Sequence, residues 1–121
     1  MKYEWLDVYC LSKKGAVKEY KAEWEVERFM LGGKMFLMHG SNNKGEEIVT
    51  LKLEPMFGEM LRGQYECIAP GYYMNKVHWN SVNVDGNVPD DLLKEMIDKS
   101  YELIFASLSK KERDKISVLP K

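Results

Sequence analysis

Apolar and polar positions along the chain fall into stretches of two different periods. Over residues 3–13, Trp5, Leu6, Cys10 and, less cleanly, Tyr9 recur at helical spacing. Lys13, Lys14 and Gly15 follow, where basic side chains complement a helix dipole and a glycine suits a left-handed cap. Over residues 16–53 the period shortens to that of strands. Trp24, Val26 and the apolar run 29–31 lead into Gly32-Gly33, a two-residue hairpin turn. Residues 34–39 return as an apolar strand, and 40–45 form a polar loop of turn formers. Residues 47–53 alternate, with Val49, Leu51 and Leu53 on one face. The pattern predicts a three-stranded antiparallel meander.

Pro55 opens a second, shorter helix to about residue 62, which Gly58 and Gly63 weaken by ~1 kcal/mol each. Residues 65–70 read as a loop and 77–84 as a further strand, closed by Asp85-Gly86. Pro89, Asp90 and Asp91 begin the longest helix, with two acids beside the positive end of its dipole. Its apolar stripe is Leu93, Met96, Ile97, Tyr101, Ile104 and Leu108. Ser109 and Glu112 stand in capping-box register for a last helical turn or two, to about residue 116. This order predicts an α+β, two-layer domain. An antiparallel sheet, the meander plus at least one later strand, packs against N-terminal and C-terminal helices. With no repeat or linker, residues 1–121 read as one domain.

Charge narrows the partners. The 18 basic and 19 acidic residues leave a net charge of -1, which argues mildly against a chain built chiefly to grip phosphate backbones. Cys10 and Cys67 stand in unrelated contexts and read as reduced thiols. No apolar run approaches the ~20 residues a bilayer needs, and the N-terminus lacks the apolar core of a secretion signal. A soluble protein of the cytoplasm, without membrane partners, is expected.

Residues 70–86 hold the densest set of aromatic and hydrogen-bonding groups: Pro-Gly-Tyr-Tyr-Met-Asn-Lys-Val-His-Trp-Asn-Ser-Val-Asn-Val-Asp-Gly. This run is joined by Asp-Gly-Asn-Val-Pro-Asp-Asp-Leu-Leu at 85–93 and Asp-Lys-Ser-Tyr-Glu-Leu at 98–103. Tyr9-Cys10-Leu11 with Gly15-Ala16, Gly33-Lys34-Met35-Phe36 and Thr50-Leu51-Lys52 complete a set, in order along nearly the whole chain, that resembles the MmcQ/YjbR family. The resemblance implies a small bacterial α+β domain of the CyaY/YjbR-like type, in families whose function is largely uncharacterised. For relatives a double-wing DNA-binding role has been proposed, the wings being β-hairpins, although fold analogy does not establish function. One departure is the acidic stretch 18–27, with Glu19, Glu23, Glu25 and Glu27.

Two functional readings follow. In the first, a nucleic-acid-binding module uses the hairpin tips (Lys34, Asn42, Asn43, Lys44), Asn75-Lys76 and the basic C-terminal segment around Lys110, Lys111, Arg113 and Lys115. Binding to DNA would then be weak and salt-dependent. In the second, Lys52, Asn75, Lys76, His78 and Asn80 line a pocket for a small anionic ligand or a protein partner. Trp79 could stack on a base or simply pack, and Tyr72 and Tyr73 could stack bases or cover the sheet edge. A strand unbroken from 77 to 85 puts His78 and Asn80 on one face and Trp79 on the other; their plain alternative role is to anchor the 70–76 loop. Catalysis is the minority reading. A Cys-His pair would need Cys10 or Cys67 beside His39 or His78, two lone histidines make a weak metal set, and no cofactor is implied.

Overall fold

The computed structural model describes residues 1–71 and 74–120. The elements run α1 (Leu6–Leu11), β1 (Val17–Lys21), β2 (Val26–Leu31), β3 (Lys34–Ser41), β4 (Glu47–Lys52), α2 (Pro55–Gln64), β5 (Ile68–Pro70), β6 (Trp79–Asn83), α3 (Asp90–Ser107) and α4 (Lys110–Ser117). The strands form a single six-stranded sheet in the order β1-β2-β3-β4-β6-β5, with every neighbouring pair antiparallel. The predicted α+β two-layer plan is therefore present.

Register decides which side chains meet. Phe29 lies opposite Leu37, Leu37 opposite Leu51 and Leu51 opposite Asn80. Val49 is paired with Val82, and Val82 with Ile68. These rows face the helices, where Leu93, Met96, Ile97 and Ile104 of α3 close the core together with Tyr3, Leu6 and Cys10 from the N-terminal segment. Burying each large side chain of this kind contributes about 1.5–3 kcal/mol. Gly32 and Gly33 both adopt positive φ (56° and 82°), so the β2–β3 turn has the twist a two-residue hairpin requires. Phe36 is the extra residue of a β-bulge: Phe29 pairs with Leu37 but Met30 with Met35.

Four features differ from the sequence pattern. The meander has a fourth strand, β1, exposed nearly throughout, so no buried face marked it. A short edge strand, β5, replaces the tail of the expected loop. β6 begins only at Trp79, because Asn75 first makes a turn: its Oδ1 accepts from the amides of Val77 (2.9 Å) and His78 (3.3 Å), and its carbonyl accepts from Trp79 N at 2.9 Å. Helix α1 ends at Leu11, so Lys13 and Lys14 do not cap it. Lys13 instead pairs with Asp98 of α3, and Lys14 Nζ donates to the Ser117 carbonyl at the end of α4. The Ser109 cap is present, its hydroxyl accepting from Glu112 N at 3.2 Å.

Candidate functional site

Side chains alternating with the core rows point to the sheet face away from α3. Lys52 of β4 lies opposite Trp79 of β6 in this outer set, as Arg28 lies opposite Met38 and Met30 opposite Met35. Where this face meets the last turn of α3, a cleft of about 400 Å³ opens. Arg28, Lys34 and Lys52 line it together with Trp24 and Trp79, and Met35, Met74, Ile104 and Ser107 complete its walls. No carboxylate is among these lining residues.

The three cations are held differently. Arg28 pairs with Glu19 on the adjacent strand, and its Nε is buried without a hydrogen-bond partner among the described residues. Lys34 Nζ donates to both the carbonyl and the hydroxyl of Ser107, each at 3.2 Å, which satisfies the carbonyl end of α3. Lys52 is half-buried and, among the described residues, has no acidic partner for its ammonium group. Its backbone is fixed from behind by Ser100, whose hydroxyl accepts from Lys52 N at 2.9 Å. Trp24 is flanked by charge: Lys21 Nζ lies 4.7 Å and the Arg28 guanidinium carbon 5.9 Å from its ring centroid.

Of the residues singled out in the sequence, Lys34, Lys52 and Trp79 thus converge, while Lys44, His78 and Asn80 do not join them. Asn42, Asn43 and Lys44 sit at the β3–β4 tip and line a different groove, with Glu46, Glu66 and Asn83. There Asn42 Oδ1 accepts from Lys44 N (2.9 Å) and Glu46 N (3.0 Å), so the asparagine shapes the turn. Lys34 and Lys44 are at opposite ends of the β3 hairpin region; the eight residues of β3 alone span roughly 25 Å. Lys76 is exposed and its Nζ donates to the Gly71 carbonyl at 3.3 Å. Gly71 is pressed so closely on Trp79 that an added Cβ would lie 2.6 Å from the tryptophan Cβ.

Asn80 points the other way, into the protein. It is fully buried, its Oδ1 accepts from Arg62 of α2, and its Nδ2 donates to the His78 carbonyl at 3.2 Å. Gly58 gives α2 the room to approach it: a Cβ there would come within 3.0 Å of both Asn80 amide atoms. His78 itself lies in the turn before β6, its carbonyl accepting from Leu53 N at 2.8 Å. Asn80 therefore braces α2 rather than lining a pocket with His78. The basic C-terminal segment is engaged locally, Lys110 with Asp114, Lys115 with Glu112 and Arg113 with the Leu108 carbonyl. Tyr72 and Tyr73 lie outside the described residues.

Trp24 and Arg28 also line the cleft, and no local motif marks them: Arg28 is brought there by strand register and Trp24 by the turn before β2. The reactive side chains are dispersed. Burial pushes the Cys10 thiol up to about 12, and the nearby Asp7 carboxylate adds to the rise. Cys67 Sγ is 3.5 Å from Asn87 Oδ1, and His39 lies between Glu47 (2.5 Å) and Glu27 (3.4 Å). Among the described residues no three His, Cys, Asp or Glu groups are placed to hold a metal ion, and no helix is long and apolar enough to cross a membrane.

A six-stranded antiparallel sheet with helices packed on one face and an open cleft on the other defines a two-layer α+β protein. The YjbR family model matches residues 11–103, and the chain belongs to that family, as its sequence motifs indicated. It is 30% identical over 105 residues to the uncharacterised protein YjbR of Escherichia coli K12, covering 87% of this chain and 88% of the relative. It is 33% identical over 92 residues to the uncharacterised protein YbdF of Escherichia coli O157:H7, covering 76% and 75%. Among solved structures, the Deinococcus radiodurans protein DR2400, which carries the DUF419 domain, superimposes with a TM-score of 0.83 at 31% identity, over 95% of this chain and 86% of that one. A Pseudomonas syringae protein shares the fold alone, with a TM-score of 0.73 at 21% identity over 85% and 98%.

Proposed function

We propose that this YjbR-family protein is a non-enzymatic nucleic-acid-binding module of the cytoplasm, and that its contact surface is the cleft between Trp24 and Trp79. One observation carries the reading: three cations and two indoles line a single cleft with no carboxylate among its described lining residues. Phosphates are drawn to Arg28, Lys34 and Lys52, and planar bases gain by stacking on tryptophan or under a guanidinium. The double-wing idea is thereby shifted from the hairpin tips to the sheet face they frame. Weak binding is expected, because Arg28 already shares its charge with Glu19 and the whole chain is nearly neutral.

A small anionic ligand is the second reading, favoured by the cleft's size, which is within the range of small-molecule sites. Its centre is then Lys52 rather than His78. Fluorescence anisotropy of labelled DNA, titrated at several salt concentrations, tests the first reading. Lys52→Ala should weaken binding several-fold and make the log–log salt dependence shallower by about one. Absence of saturable binding at low salt would overturn the nucleic-acid reading and leave the small-anion one.

A further inference from the structure

Resting on that reading of the cleft, we infer that it selects unpaired over base-paired nucleic acid, seating a single exposed base against Trp24 and Trp79. The argument begins with what a duplex offers. Its base faces are hidden in the stack, and only base edges and phosphates are on the outside. Indoles lining a cleft find no base face to stack on there. An unpaired nucleotide offers both faces of its ring, and stacking is tolerant of sequence because every base has one.

Among the described residues, the elements nearest this face are poorly suited to enter a duplex groove. Major-groove readers use a helix or a two-stranded ribbon carrying basic or amide side chains. Here α3 packs against the sheet face opposite the outer row that bears Lys52 and Trp79. The β2–β3 tip is Gly32-Gly33 and has no side chain with which to read a base. The β1–β2 turn carries Glu23 and Glu25 on either side of Trp24, and Glu23 is paired with Lys21 (3.5 Å), so the turn adds little net positive charge for a second phosphate strand.

Charge gives the same answer. Duplex affinity comes mainly from many phosphate contacts, commonly six to ten or so. The cleft has three cations, and Arg28 and Lys34 already have protein partners. So few charges suit a short stretch of backbone, with stacking providing what the charge does not. Trp24 is 46% exposed and so open to a base, and Arg28 and Lys21, the latter itself paired with Glu23, lie within 6 Å of its ring, close to where the phosphate of a stacked nucleotide would run.

The test titrates the full chain against a labelled oligothymidylate and against a duplex of the same length, with wild type, Trp24→Ala and Trp24→Phe. The single strand should bind at least about tenfold more tightly. Trp24→Ala should weaken single-strand binding roughly fivefold to a hundredfold and duplex binding less than about twofold. Trp24→Phe keeps an aromatic face and should recover most of the affinity. Trp24 sits in a turn, and circular dichroism of both variants checks that the fold is kept. Equal or tighter duplex binding, or a Trp24→Ala variant that binds the single strand like wild type, would overturn this inference while leaving a nucleic-acid module in place. Failure of either nucleic acid to bind at low salt would overturn both.

Discussion

Ser100 donates its hydroxyl to the main-chain carbonyl of Phe36 at 2.6 Å, deep between α3 and the sheet. The same hydroxyl accepts from Lys52 N, so one side chain satisfies both groups where the β3–β4 ladder ends at the Phe36 bulge. Ser100 is fully buried, and no water can replace it without opening the core. It also fixes the strand end from which Lys52 reaches the cleft.

Ser100→Ala should therefore cost about 1–3 kcal/mol, the penalty for leaving buried polar groups without partners. Urea unfolding should show a lower midpoint with an unchanged slope. A variant within about 0.5 kcal/mol of wild type would mean that the bulge finds another partner.

The two glycines of α2 should respond oppositely to alanine. Gly63 has nothing within 4 Å of an added Cβ, and Gly63→Ala should stabilise by about 0.5–1 kcal/mol through helix propensity. At Gly58 the same methyl meets Asn80, which is pinned by Arg62 and the His78 carbonyl and cannot give way. Gly58→Ala should lose stability despite the same propensity gain. Thermal melts of the two variants, measured side by side, decide it.

How much of this was legible follows from the range of the signals. The Gly32-Gly33 turn, the Pro55 and Pro89 helix starts and the Ser109 cap are local chemistry, and each is where the pattern put it. β1 carried no signal because Val17–Lys21 has no buried face, and β5 is three residues long and ends in proline. Asn75 looked like part of a binding set; its side chain is spent on its own turn. The cleft was half visible: Lys34, Lys52 and Trp79 were candidates, but their meeting with Trp24 and Arg28 depends on strand register, which no short motif records. Asn80 could not be told from a pocket residue, because alternation shows which face it takes and not what covers that face.

That last point has its own test. Asn80→Ala should destabilise the fold by about 1–3 kcal/mol by stripping Arg62 of its acceptor, yet leave nucleic-acid affinity at low temperature within about twofold. A selective loss of binding with stability intact would restore Asn80 to the site.

Alkaline pH should weaken the fold. Burial raises the Cys10 thiol to about 12 from an ordinary value of 9.0, and burial is also the main reason Tyr3, Tyr9 and Tyr101 lie above the usual tyrosine range. For such acids the neutral form is favoured in the folded state. Their contribution is complete below the unfolded pKa and is lost as pH rises towards the folded one. Stability should fall from about pH 9 upward, by up to about 1.4 kcal/mol per pH unit for Cys10 alone. Below that range, a thiol reagent should label Cys67 in the native protein and Cys10 only after unfolding.

The most direct measurement uses the three tryptophans as reporters. Trp5 is packed between Tyr3 and Tyr9 beside Lys94, away from the cleft, whereas Trp24 and Trp79 line it. A nitrogen–proton correlation spectrum recorded while adding oligothymidylate should shift the indole signals of Trp24 and Trp79, with the amides of Arg28, Met35 and Lys52, and leave Trp5 in place. Shifts confined to Asn42, Asn43 and Lys44 at the β3–β4 tip, or no shifts at low salt, would contradict the cleft as the site.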